Sequence, residues 1–270
     1  MSPWNCPTCR KEVSTPYCPL CGERALNPRE LTVRGLAEQG LEAFTSIDGR
    51  LIRSFRTLAA SPGALTMAYL TGRRKPYIGP VSLFLIANVL FFATESLTHG
   101  TVFTTPLASH LHSQPWDGLA TTLVSQRLQA LHQTLDTYTP GFDRAVARNA
   151  RSCIILMALS FSILPRILFR GSRWPFAAHA AFALHLYAFI LLIFCLATSL
   201  LALNATRNFD VAISLTLLVV CAIYLYIATG VVYGGTAVAR ALKTVVLTAG
   251  VAVIVLGYRF ALLLVTLYTT

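Results

Sequence analysis

The sequence predicts an all-α integral membrane helix bundle of about five transmembrane helices with a small N-terminal zinc-ribbon head. Three observations carry that reading. Of the 270 residues 55% are hydrophobic and only 12% charged, a membrane composition. Apolar runs occupy residues 77–97, 152–169, 176–203, 211–233 and 245–268, each near the roughly 20 residues that cross a bilayer as helix. Four of the seven cysteines fall in the first 25 residues as two CxxC pairs. The last three runs follow one another with short polar breaks and almost no internal charge, which argues against buried helices of a soluble protein. Residues 1–30 hold cysteines and charges where the apolar core of a cleavable signal peptide would lie.

The head, residues 1–25, is read from NCPTCRKEVSTPYCPLCGE at 5–23. Cys6 and Cys9, then Cys18 and Cys21, present thiolates in pairs at the spacing a tetrahedral zinc accepts, and Gly22 lets the chain turn around the metal. One structural zinc per chain is expected, because so short a head buries too little to fold without it. A redox-active CxxC sits at the start of a helix, and the prolines after Cys6 and Cys18 argue against that. Disulfides need an oxidising compartment.

Charge distribution decides the compartment. Eleven of the 22 Lys and Arg precede the first run, Arg170 and Arg173 separate the second and third, and Arg240 and Lys243 separate the fourth and fifth. The alternate loops hold five, and Arg166 and Arg259 fall inside spans. By the positive-inside rule the N-terminus is cytoplasmic and the C-terminus outside. The paired cysteines then lie in a reducing compartment, which favours zinc. Cys153, Cys195 and Cys221 are read as small apolar residues in or beside spans.

Residues 26–76 read as amphipathic basic juxtamembrane helices. In IDGRLIRSFRTLAASPG, Leu51, Ile52, Phe55, Leu58 and Ala59 recur at helical spacing, Asp48 caps the start, and Pro62 with Gly63 ends the helix. Arg50, Arg53 and Arg56 form a basic stripe suited to lipid headgroups, so residues 48–60 read as a helix in the membrane plane, as packing against the span ends, or as both. Arg73, Arg74 and Lys75 anchor the first span, each cation near an anionic leaflet contributing about 1 kcal/mol. Residues 77–270 form the bundle, with a helical outer loop at 98–151. There Leu119, Leu123, Leu128, Leu131 and Leu135 mark one helix, Pro140 and Gly141 a break, and Phe142 the start of a helix into the second span.

The CPxC and CPxCG pairs, the stretch FTSIDGRLIRSFRTLAASPGALTMAYLTGRRKPYIGP and the later HAAFALHLYAF resemble an uncharacterised bacterial multi-pass membrane family. That family has a zinc-ribbon-like head, an arginine-rich PG…YL.G.R..Y..P segment and a helix bundle. The matching positions are Asp48, Arg50, Arg53, Arg56, Pro62, Gly63, Tyr69, Leu70, Gly72, Arg73, Tyr77 and Pro80, with His179, Phe182, His185 and Phe189 in the third span. Gly79 stands where the family usually has a second proline. The resemblance implies the architecture and a bacterial inner membrane, and leaves the activity open.

Polar groups inside spans are expensive and form the remaining candidates. At 1.5 Å per residue, Arg166 lies about 6 Å inside its span and His179 near the same surface, where both can snorkel. Asn88 comes out roughly 15 Å deep, and His185 and Tyr224 about 13 Å, a midplane layer of three helices. Glu95 at about 25 Å and Arg259 at about 21 Å lie at nearly one depth and invite an ion pair. No motif of a hydrolase, metalloprotease, nucleotide or dinucleotide site occurs. The leading expectation is a non-catalytic membrane protein whose zinc ribbon and basic segment form an interaction and assembly platform at the inner leaflet. Its partners would be anionic lipid headgroups and a protein, since the head's net charge of about +1 does not suit nucleic acid. The alternatives are a transporter of a small molecule, ion or lipid, and a membrane-embedded enzyme using the His, Tyr and Asn layer. No internal repeat of the kind that marks many transporters is found.

Overall fold

The computed structural model describes residues 3–25, 32, 49–98, 103–204 and 210–270. Asp48 and most of residues 26–47 lie outside the described residues. By contact density the chain forms two compact units, Met1–Phe91 with Ala158–Gly250, and Phe92–Met157 with Val251–Thr270.

In the first unit the head opens with β1 (Trp4–Asn5) antiparallel to β2 (Glu12–Val13), with Trp4 opposite Val13. Its small core is Cys6, Val13 and Cys18, with Trp4 packed against them. The second knuckle repeats the first bond for bond. Cys6 N–H donates to Lys11 O at 2.8 Å and Cys18 N–H to Glu23 O at 2.6 Å, while Arg10 and Gly22 each donate back to the first cysteine of their knuckle at 2.8 Å. Asn5 opposite Glu12 is echoed by a bridge between Tyr17 and Arg24.

Helix α1 (Gly49–Ala60) is amphipathic, and of the predicted line Leu58 is buried and Leu51 and Phe55 half-buried, while two positions depart from it. Ser54 and Leu58 are buried, Ile52 is 75% exposed, and Ala59 is exposed. Ser54 wins the inner face because its hydroxyl is used twice, donating to Arg50 O at 2.8 Å and accepting Ile78 N–H at 3.0 Å. Helix α2 (Ala64–Leu70) buries Leu65, Thr66, Tyr69 and Leu70. It packs against α1 and against two long helices, α8 (Phe176–Asn204) and α9 (Asp210–Tyr233).

Glycines set both ends of α2. Gly63 has φ +85°, and a Cβ there would stand 2.9 Å from Ala228 O of α9, so no other residue fits without movement. At the other end Gly72, φ +82°, closes a Schellman turn in which Gly72 N–H donates to Tyr69 O and Arg73 N–H to Ala68 O.

Helix α3 (Pro80–Thr98) starts at its proline, three residues later than the sequence suggests. It buries Leu83, Phe84, Ala87 and Phe91 on one face. Every residue of α8 from 177 to 191 is buried, and the alanines at 177, 178, 180, 181, 183 and 188 let neighbouring helices come close on all sides.

The second unit holds α4 (Leu107–His112), α5 (Asp117–Leu131) and α6 (Leu135–Cys153). Two expectations are corrected here. Leu119, Leu123, Leu128 and Leu131 share α5, but that helix ends there at a left-handed His132 and Leu135 opens α6 instead of continuing it. Helix α6 runs through Pro140 without breaking. A capping box joining Thr134 and Thr137 starts it, the proline falls in the second turn where only one backbone bond is forfeited, and Tyr138, Phe142, Ala145, Val146 and Ala150 hold one buried face.

Helix α7 (Ile155–Leu168) has 14 residues, roughly 21 Å, too short alone for a hydrocarbon core of about 30 Å. It is long enough to cross only if counted together with α6, from which it is bent by 42°. The last helix, α10 (Ala237–Thr269), begins eight residues before the predicted span, because Gly234 and Gly235 make the turn and Arg240 and Lys243 are helical. Among the described residues, four helices are long and apolar enough to cross a membrane, or five with the bent pair.

Candidate metal centre and buried polar sites

The two knuckles bring Cys6, Cys9, Cys18 and Cys21 together with all four Sγ atoms within 4.8 Å of one another. The closest separations are 3.4 Å for Cys6 to Cys21, 3.4 Å for Cys9 to Cys18 and 3.9 Å for Cys9 to Cys21. A tetrahedron with metal–sulfur bonds of 2.3 Å has edges of about 3.8 Å, so the cluster could hold a metal ion. All seven cysteines are free thiols, so no disulfide competes for these sulfurs.

The thiols do not titrate alike. At Cys18 burial pushes the pKa up, but the N–H groups of Cys21 and Leu20 and the thiols of Cys9 and Cys21 outweigh it and bring it down to about 6. At Cys21 the Glu23 N–H pulls down, while burial and the other three thiols push the pKa up to about 12. A metal ion would be bound by these sulfurs as thiolates, with release of their protons.

Glu23, two residues past the last cysteine, is 4% exposed. Its Oε2 accepts the Thr8 hydroxyl at 2.8 Å, Arg74 N–H at 3.1 Å and Lys75 N–H at 2.9 Å. Thr8 sits inside the first CxxC, so both knuckles meet at this carboxylate, and the carboxylate fastens the head to the chain just ahead of α3. Sequence reasoning counted Glu23 only as a charge. Arg74, predicted to face lipid with Arg73 and Lys75, is half-buried with its guanidinium 4.6 Å over the Tyr69 ring, whereas Arg73 and Lys75 are exposed. Arg53 and Arg56 are exposed and Arg50 is half-buried.

Of the midplane layer, Asn88, His185 and Tyr224 are all buried. His185 Nδ1 lies 2.9 Å from the Thr66 hydroxyl. Tyr224 stacks on Phe189 at 4.0 Å and accepts the Gly63 N–H. Both partners come from α2, which the sequence reading left outside the bundle. The signal was present in ALTMAYLT, eight uncharged residues between two glycines.

In the second unit Glu95 is 3% exposed and its Oε1 accepts Phe103 N–H at 3.1 Å. Arg259 acts on a residue that sequence reasoning missed, His110 of α4. That ring is wholly buried, accepts the Trp116 indole N–H at 3.3 Å, and has its pKa lowered to about 4 by burial first and the Arg259 charge second.

Fold and site define a class, a helical bundle with four or five helices able to span a membrane and a four-cysteine cluster that could hold a metal. Within it, residues 48–92 match the model of a family described as a protein of unknown function, DUF3667. The match covers α1, α2 and most of α3. No curated protein and no solved structure matches the chain.

Proposed function

We propose that this is a multi-pass protein of the bacterial inner membrane, N-terminus cytoplasmic and C-terminus outside, acting as a non-catalytic interaction and assembly platform. One structural zinc per chain orders the head. The choice of zinc rests on the all-sulfur donor set and the orientation on the excess of Lys and Arg in alternate loops. The carrying observation is the Glu23 contact. A metal-ordered head hydrogen-bonded to the backbone just before the first span is held in a defined place instead of trailing on a linker.

The surface presented from that place suits a protein partner. Tyr17 and Leu20, on the second knuckle, are 61% and 63% exposed, and apolar side chains of this size on a small head are docking material. The exposed cations Arg53, Arg56, Arg73 and Lys75, with the half-buried Arg50 and Arg74, suit anionic headgroups. Nucleic acid fits poorly, because Glu12 and Glu23 nearly offset the three head cations.

Photo-crosslinkers at positions 17 and 20 in intact cells test the reading. Discrete protein adducts are expected, and they should vanish in Cys9→Ser. Zinc-loaded protein that gives no protein adduct at either position would refute the platform.

A further inference from the structure

We propose that metal binding by the four cysteines and docking of the head on Arg74 and Lys75 are one coupled equilibrium, with Thr8, Glu23 and Lys75 as the coupling residues. A zinc ion in the cluster latches the head to the chain ahead of α3, and its loss releases the head. This adds regulation to the metal-ordered head proposed above and rests on that reading. Every residue it uses lies in the first compact unit.

The bonds that close the latch pass through residues held by the metal ligands. Thr8 stands between Cys6 and Cys9, and Glu23 two residues after Cys21. The Thr8 hydroxyl donates to Glu23 Oε2 at 2.8 Å, and the same oxygen accepts Arg74 N–H at 3.1 Å and Lys75 N–H at 2.9 Å. One carboxylate oxygen thus ties the first knuckle, the second knuckle and the backbone ahead of α3 at a single point. Glu23 is fixed through its backbone as well, because its carbonyl accepts Cys18 N–H at 2.6 Å and so closes the second knuckle. The side chain that docks the head belongs to a residue that shapes a metal-binding turn.

The receiving segment reaches back to the same turn. Gly22 has φ +68°, and a Cβ there would stand 3.3 Å from Lys75 Cε and 3.4 Å from Lys75 Nζ, so the lysine side chain lies against the glycine that follows Cys21. A divalent cation held by four thiolates leaves two negative charges uncompensated, and an ammonium beside the knuckle is attracted to that excess. The neighbouring Arg74 guanidinium is taken up over the Tyr69 ring of α2 at 4.6 Å, and the lysine is the cation that this segment places against the knuckle.

The energetics make the two steps interdependent. A head whose core is Cys6, Val13 and Cys18 with Trp4 packed on it buries too little apolar surface to keep two knuckles together without a metal. The sulfur contacts at 3.4, 3.4 and 3.9 Å all run from one knuckle to the other, and thiols without a cation are weak donors and weak acceptors. When the cation leaves, the knuckles part, Thr8 and Glu23 separate, and the carboxylate is no longer aimed at Arg74 and Lys75. Linkage makes the effect reciprocal, because whatever factor the metal adds to docking, docking adds to metal affinity. Metal supply then decides whether Tyr17 and Leu20 are presented from a fixed place or from a free tether.

The test uses the full chain in detergent, with zinc affinity measured by competition against a chromogenic chelator and exchange at amides 74 and 75 followed by mass spectrometry. Thr8→Val and Glu23→Ala should each weaken zinc binding about tenfold or more, although neither removes a sulfur. Thr8→Val keeps the side-chain shape and reads the coupling even where Glu23→Ala fails to load. Lys75→Met should weaken zinc binding about two- to threefold at low salt, Lys75→Arg should not, and the deficit should close in about 1 M salt because the lysine is exposed. In the other direction, stripping zinc from the parent should speed exchange at 74 and 75 by the same factor as Glu23→Ala does. Stripping zinc from Glu23→Ala should add nothing there, and amides in α9 should keep their protection throughout. Parent-like zinc affinity in Thr8→Val and Glu23→Ala, or unchanged exchange at 74 and 75 on zinc removal, would overturn the coupling and leave the zinc-ordered head standing. A parent chain that takes up no zinc would overturn both. Crosslinking at positions 17 and 20 of zinc-loaded protein is a separate readout, so the platform can fail alone.

Discussion

Replacing Glu23 by alanine should unfasten the head from the chain ahead of α3. The carboxylate accepts three hydrogen bonds while 4% exposed, and bonds to a charged acceptor contribute about 1.5–3 kcal/mol each. The three do not add. Arg74 is half-buried and Lys75 exposed, so water satisfies their N–H groups once the head lifts, and a local loss of about 2–3 kcal/mol remains. Hydrogen exchange at amides 74 and 75 reads it directly, because both N–H groups donate to the substituted carboxylate. Exchange should accelerate about 30- to 150-fold, with Glu23→Gln intermediate since it keeps one acceptor oxygen. Amides in α9 should keep their protection, which separates unfastening from global loss of fold. Unchanged protection at 74 and 75 in metal-loaded Glu23→Ala would refute the reasoning, because those bonds would then carry no weight in the folded protein.

Purified protein should carry close to one zinc per chain by elemental analysis, and Cys9→Ser or Cys21→Ser should lose it. Gly63→Ala should lower thermal stability by about 2–4 kcal/mol, since it adds a left-handed backbone penalty to a clash with Ala228 O, whereas Gly72→Ala should cost only about 1–2 kcal/mol. His110 gives a pH signature. Its folded pKa of about 4 lies below the unfolded value near 6.5, so the unfolded chain takes up the proton first, and stability falls by up to about 3 kcal/mol as pH drops from about 6.5 to 4. His110→Asn should flatten that part of the melting profile. Glu95→Gln and Arg259→Gln should each destabilise, and a double mutant no worse than either alone would show that the two are coupled, whereas additive losses would show that they are not.

How much of this was legible depended on whether a signal was local. The cysteine cluster was readable because ligand spacing within a knuckle is a short-range constraint. The apolar runs were readable because a bilayer demands unbroken stretches. Boundaries failed where local chemistry overrode composition. Arg240 and Lys243 look like loop residues, yet the paired glycines complete the turn in three residues, and Tyr226 and Phe169 receive the two cations on helix. Pro140 looks like a break, yet a proline early in a capped helix forfeits little. Two tertiary partners of the candidate residues were out of reach of periodicity. Thr66 and His185 are 119 residues apart, and His110 sits in a six-residue helix with no amphipathic pattern to announce it.

The region matched by the family model is also where these connections converge. Glu23 joins the cysteine cluster to Arg74 and Lys75, Gly72 turns the chain directly before them, and the helix that Gly72 ends carries Thr66 to His185 and starts at the Gly63 that donates to Tyr224. Each step is a short polar contact or a glycine of positive φ, and the chain between the head contact and the buried layer is a single seven-residue helix. The polar layer therefore has a physical reason to be present that requires neither substrate nor catalysis. His185 and Tyr224 receive α2, and a buried site that accepts a helix bearing a hydroxyl and preceded by a glycine N–H must supply partners for both.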